Sequence, residues 1–221
     1  AHVIKEYELG QPQEGYAISN IYMDQSKQLW AVGSRGIFRY EPETDSFFRY
    51  PPLGNGHTAY IMFQDKAGNY WIGTWGEGLW QFFPHAQKGG HYKKHNIATP
   101  NSKESGVESI LFSIEQDNTF GYLWMLSYAG LHAFEYTDEG TLKKVDIDHL
   151  IDTHMMYTRI CKDREGNLWL PSYDMAYTIF FDNSNIDNYL LPQLKEEMGW
   201  DANILNLSLI HISEPTRRRG I

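Results

Sequence analysis

Cysteine is all but missing: Cys161 is the single one among 221 residues. An intrachain disulfide and any CxxC metal or redox motif are thereby excluded. Cys161 lies in the alternating run TRICKD, which predicts a buried, inert thiol. No stretch approaches the ~18 apolar residues of a membrane-spanning helix. The opening AHVIKEYELG lacks the basic and then apolar profile of a signal peptide, and no initiator Met precedes it. Basic charge is scarce as well, with 19 Lys and Arg against 28 Asp and Glu and a formal net charge of −9. Nucleic acid requires a basic footprint that releases counterions, so this balance argues against DNA or RNA as a partner. No G-x-S-x-G, HExxH or P-loop is present to carry catalysis.

Aromatic residues and glycine are plentiful. The 15 Tyr, 11 Phe and 7 Trp, together with 19 Gly, lean towards all-β structure. Trp30, Trp71, Trp124 and Trp169 recur at spacings of 41, 53 and 45 residues, each inside a similar phrase. An aspartate precedes each, as Asp24, Asp65, Asp117 and Asp163, with one extra residue in the third copy. Gly68, Gly121 and Gly166 stand three residues ahead of their tryptophans, whereas Lys27 breaks that pattern in the first copy. Behind the tryptophans come GIFRY, GLWQF and GLHAF, the last two opening at Gly78 and Gly130, and a degenerate AYTIF in the fourth copy.

Each copy reads as four short strands. An alternating apolar run ends at the aspartate, Asp-x-x-Gly-Asn makes a tight turn, and the tryptophan run returns. The GIFRY-type run is the third strand, and a fourth follows a turn such as EPETD. Such a unit cannot bury its apolar face alone, so neighbouring sheets must stack. The predicted fold is an all-β β-propeller fragment of about four four-stranded antiparallel blades. DANILN at 201–206 reads as the start of a fifth. The tryptophans are expected to be structural staples between blades.

The pattern from Asp65 to Leu79, with Gly68, Trp71, Gly73 and Gly78 in place, resembles the two-component-regulator propeller repeat. Weaker versions are DQSKQLWAVGSRGIF, DNTFGYLWMLSYAGL and DREGNLWLPSYDMAY. In that family, repeats build periplasmic propellers ahead of a membrane helix and a histidine kinase. The family's best-known group is the hybrid sensors of gut Bacteroidetes that detect breakdown products of complex carbohydrates. The resemblance implies a periplasmic sensor domain over residues 1–206, an oligosaccharide ligand, a homodimer in the intact protein, and no cofactor. It also implies that the chain itself is no enzyme, the kinase domains lying outside it, and that membrane contact comes only through downstream segments. Two other readings stay open: a secreted propeller lyase or glycosidase, and a non-enzymatic interaction scaffold.

Residues 207–221 do not fit. LSLIHISEPTR, Leu207 to Arg217, resembles the translation of a transposase sequencing adapter, and three arginines close an otherwise acidic chain. These residues are expected to be a non-native tail.

In a propeller, loops joining second to third strands share a face with the connections between blades, and that face usually carries the ligand. Four residues past each tryptophan this loop offers Ser34, Trp75, Tyr128 and Tyr173, flanked by Arg35, Glu77 and Asp174. Flat aromatic faces stack on sugar rings, and the flanking groups hydrogen-bond hydroxyls. Arg35, Trp75, Glu77, Tyr128, Tyr173 and Asp174 are therefore the candidate ligand-binding residues. The inter-blade stretches 51–58 and 96–106 are rich in Gly, Pro, Asn and Ser and are expected to be loops on this face. His85, His91 and His95 straddle a Gly-Gly turn and lack the further ligands of a zinc site. His57 is the one histidine placed for catalysis if the chain were an enzyme.

Overall fold

The computed structural model describes residues 5–7, 9, 18–54, 56, 58–86, 89–97, 110–173, 176–179 and 188–190. Four sheets of four antiparallel strands follow one another along the chain. The first holds β1 (Ile18–Met23), β2 (Leu29–Gly33), β3 (Gly36–Glu41) and β4 (Ser46–Arg49). The second holds β5 (Ala59–Gln64), β6 (Tyr70–Thr74), β7 (Leu79–Phe83) and β8 (His91–His95). The third is β9 (Leu111–Gln116), β10 (Leu123–Ser127), β11 (Gly130–Tyr136) and β12 (Leu142–Val145). The fourth is β13 (Cys161–Lys162), β14 (Leu168–Pro171), β15 (Ala176–Ile179) and β16 (Asn188–Leu190). Among the described residues there is no helix. This is the predicted blade architecture. The expected fifth strand at 201–206 and the tail at 207–221 lie outside the described residues.

One device closes every first turn. The indole N–H of the repeat tryptophan donates to the aspartate: Trp30 to Asp24 at 2.9 Å, Trp71 to Asp65 at 2.8 Å, Trp124 to Asp117 at 3.0 Å and Trp169 to Asp163 at 2.8 Å. The second carboxylate oxygen accepts backbone N–H groups of the same turn, from Gln28, Asn69, Gly121 and Asn167. A carboxylate engaged by several N–H groups holds the turn and the indole in one geometry. The residue three ahead of each tryptophan is left-handed: φ is 88° at Gly68, 75° at Gly121 and 95° at Gly166. Lys27 takes the same conformation at φ 65°, so the first copy breaks the residue pattern and keeps the backbone.

The first three tryptophans also build the core, because each faces the next sheet. Trp30 packs among Met62, Tyr70, Ile72 and Phe82 of the second sheet. Trp71 packs on Leu111, Ile114, Leu123, Met125 and Phe134 of the third. Trp124 packs on Ile160, Leu168, Leu170 and Ile179 of the fourth. Gly73 permits the second of these junctions, since a Cβ there would meet Leu111 Cβ at 2.9 Å and Ile61 at 2.7 Å. First strands run beside one another across junctions, as shown by Ser19 Oγ donating to the Ala59 carbonyl at 3.0 Å and Ile160 N–H to Ser113 Oγ at 3.0 Å. They therefore form the inner edges around which the sheets turn.

Cys161 corrects the sequence expectation. It is exposed. It pairs with Trp169 across β13 and β14, so it shares the tryptophan's face of the fourth sheet. No further sheet packs on that face among the described residues, and Trp169 itself stays half-exposed. Whether that face is covered depends on a neighbouring sheet.

Candidate functional site

The second-to-third loops carry the candidate residues as exposed rings. Trp75 is 47% exposed, Tyr128 46% and Tyr173 79%. Trp75 and Tyr128 meet across the boundary between the second and third sheets, with ring centroids 5.8 Å apart and planes at 88°. The same boundary is tied at the backbone, where Trp75 pairs with Ile110.

Two further rings support this pair, and the sequence reading missed both. Each of the first three first strands begins with a bulge, at Ser19, Tyr60 and Phe112, where register slips by one residue. A bulge re-aims the extra side chain out of the strand's alternation. In the second sheet the bulged ring, Tyr60, lies 5.4 Å from Trp75. In the third, Phe112 lies 5.6 Å from Tyr128. The outcome is a row of four rings, Tyr60, Trp75, Tyr128 and Phe112, with the half-buried outer two flanking the exposed inner two. Their signal in the sequence was positional: an aromatic eleven residues ahead of Trp71 and, allowing for the third copy's extra residue, of Trp124. Ser19 occupies that place in the first copy, opposite Ser34, so the row does not extend there.

The flanking groups are engaged. Glu77 Oε2 accepts from Lys94 Nζ at 2.6 Å, and Glu77 N–H donates to Thr74 Oγ1 at 3.0 Å. The Arg35 carbonyl accepts from Arg49 at 3.1 Å in the first sheet. Tyr173 stands on the fourth sheet and does not join the four-ring row. Asp174, His57 and residues 98–106 lie outside the described residues.

Ser127 Oγ lies 3.0 Å from His132 Nε2, beside Tyr128. This is the spacing of a nucleophile and its base. Ser127 is buried, however, and its oxygen accepts the Ala129 N–H at 3.0 Å. Thr74 holds the same place in the second sheet and closes its loop in the same way. The pair is a loop closure.

Of the three histidines weighed for zinc, His95 is buried while His85 and His91 are exposed. His95 Nε2 is 3.1 Å from Gln81 Oε1, and its ring meets Trp71 at 5.2 Å and 61°. The polarity of this contact is set from Asp65. Asn69 Nδ2 donates to Asp65 Oδ2, which turns Asn69 Oδ1 towards Gln81 Nε2 and leaves Gln81 Oε1 to accept from His95 and Tyr136. Burial, with Lys93 as a second cause, pushes the imidazole down to about 4, so His95 is a neutral packing residue near pH 7. Among the described residues no three His, Cys, Asp or Glu side chains converge as metal ligands.

Residues 53–76 match the family model described as two component regulator propeller. That is the repeat around Trp71. The fold is likewise shared with the extracellular domain of BT4673 from B. thetaiotaomicron, described in one structure as a one component system and in another as a hybrid two component system. The TM-scores are 0.62 and 0.60 at 23% and 22% identity, over 83% of this chain and 26% of that one. Virginiamycin B lyase from Staphylococcus aureus superposes with a TM-score of 0.59 at 15% identity, covering 85% of this chain and 59% of the lyase. PorZ of the Porphyromonas gingivalis type-IX secretion system gives 0.59 at 18% identity, covering 84% and 29%. The chain thus spans about a quarter of the BT4673 domain. These likenesses establish the propeller fold. No curated protein matches the chain.

Proposed function

We propose that the chain is part of the ligand-sensing propeller of a hybrid two-component sensor histidine kinase. Its ligand is an oligosaccharide, held on the rings at the boundary of the second and third sheets. In the intact protein the propeller lies in the periplasm and forms a homodimer. Ligand shifts the dimer interface, and that bias passes through a membrane helix to the kinase, which regulates carbohydrate-utilisation genes. A ligand moves such an equilibrium only by its differential affinity for the two states. The phosphotransfer belongs to kinase domains outside this chain.

The observation that carries the reading is the half-exposed pair Trp75 and Tyr128 on a propeller bearing a two component regulator repeat. Exposed aromatics held rigidly from behind are a sugar-stacking surface, since little ordering is left to accompany binding. The fold shared with virginiamycin B lyase keeps an enzyme as the second reading.

The test is a glycan array probed with the whole chain, followed by calorimetry on each hit. Binding without turnover, lost in Trp75→Ala and Tyr128→Ala, is the expected result. Cleavage of a bound glycan reverses the ranking in favour of a lyase or glycosidase. An array with no hit removes the oligosaccharide ligand.

A further inference from the structure

The planes of the four rings do not line up. Tyr60 and Trp75 meet at 48°, Trp75 and Tyr128 at 88°, and Tyr128 and Phe112 at 56°. Elsewhere the chain does build flat pairs, with Phe82 and Tyr92 at 20° and Phe120 and Tyr122 at 18°. A pyranose stacks by laying its apolar face parallel to an aromatic plane. Successive sugars seated on Trp75 and Tyr128 must then be turned steeply against one another. A ribbon of coplanar rings can lie on one of these planes but meets the edge of the next.

We infer that this platform selects oligosaccharides with a curved or kinked backbone, in which neighbouring rings are inclined, over flat β-1,4-linked ribbons. The inference rests on the oligosaccharide reading above and adds the shape of the ligand. The rings are held in place from both sides. Tyr60 and Phe112 come from bulged inner strands, and the Trp75 backbone is pinned by its N–H donating to the Thr58 carbonyl at 3.0 Å. Reorienting the pair into one plane would break the contact across the sheet boundary.

Neutral probes suit the test, because the net charge of −9 repels anionic glycans. Calorimetry compares the curved maltotetraose and laminaritetraose with the flat cellotetraose and mannotetraose, using the whole chain. At least one curved tetraose is expected to bind ten-fold or more tightly than either flat one. Trp75→Ala and Tyr128→Ala should each weaken it ten-fold or more, with the thermal midpoint of each variant measured to establish folding. Trp75→Phe, which keeps an aromatic face, should retain most of the affinity. Equal or tighter binding of a flat tetraose overturns the shape inference and leaves the oligosaccharide reading standing. If none of the four binds, the array hits decide: hits confined to flat ribbons overturn the inference alone, and an array without hits overturns both.

Discussion

Trp71 and Asp65 are joined by a 2.8 Å hydrogen bond from indole N–H to carboxylate, and the six-residue span between them recurs from Asp24 to Trp30 and from Asp163 to Trp169. One bond links the first turn of a blade to the side chain that the next blade packs upon. Turn geometry and core packing are therefore a single structural commitment.

Asp65→Ala should accordingly cost far more than a turn residue ordinarily does. It strands the buried Trp71 N–H and the Asn69 side chain that orients Gln81. Unsatisfied buried donors and lost charge-assisted bonds put the destabilisation at about 2–4 kcal/mol. Urea unfolding measures it, and a loss under about 1 kcal/mol would refute the coupling.

Two buried groups contribute to the acid side of the stability profile. His95 has its folded value lowered to about 4 by burial, against about 6.5 unfolded. Its contribution is complete above pH 6.5 and is lost as pH falls from there towards 4, because the unfolded chain takes the proton first. The loss is on the order of 2–3 kcal/mol. Burial alone would raise Asp24, but bonds from Tyr70, Trp30, Ser26 and Gln28 outweigh it and hold the carboxyl below its ordinary value. Its contribution is lost only as pH drops below about 4. His95→Gln should flatten the slope between pH 6.5 and 4 and leave the steeper fall beneath it. Denaturation midpoints at half-unit pH steps separate the two.

Lys27 and Gly68 occupy one conformation with different residues, so exchanging them should have opposite signs. Lys27→Gly removes a left-handed cost of about 1–2 kcal/mol, partly offset by the freer unfolded chain, for a net gain of roughly 0.5 kcal/mol. Gly68→Lys should lose about 1 kcal/mol. Thermal midpoints of the two variants moving in the same direction would count against this account.

Gly130→Ala should be the harshest of the small substitutions. A Cβ there would sit 2.0 Å from the Thr153 carbonyl oxygen, which accepts the Leu131 N–H at 2.8 Å. The backbone at Gly130 is also at φ 113°, which an alanine rarely adopts. A loss of at least about 3 kcal/mol is expected, read as a lowered denaturation midpoint.

The repeat was readable because its physics is local. Asp65, Gly68, Asn69 and Trp71 make their turn within a few residues of chain, and the alternation around them sets which face is apolar. What stayed hidden depends on a break in that alternation or on a neighbour. Tyr60 and Phe112 read as ordinary strand residues because a bulge leaves no mark in a two-residue period. His95, in a run with lysines, was weighed only as a metal ligand, yet its strand turns it against Trp71. Cys161 was expected to be buried and is exposed, because cover on its face has to come from outside its own segment. Trp75 and Tyr128 were readable as loop aromatics; that they touch across two sheets was not.

The joints between sheets have a direction. The N–H of Gln25 donates to Gln64 Oε1 at 2.9 Å, and the N–H of Lys66 donates to Gln116 Oε1 at 2.8 Å. Each of these turns thus offers a donor forward to a glutamine just ahead of the next aspartate. The second sheet carries both halves of the joint, the glutamine that accepts and the turn that donates. A tandem copy of this unit would keep the glutamine joint, though not the bonds that Ser19, Asn20, Tyr22 and the Gln25 side chain make from the first sheet. The fourth sheet is not interchangeable in this way. There Lys162 replaces the glutamine and donates backward, to Glu115 at 2.8 Å and to the Gln116 carbonyl at 2.8 Å. A copy of the second unit would therefore carry this joint on, whereas a copy of the fourth would not.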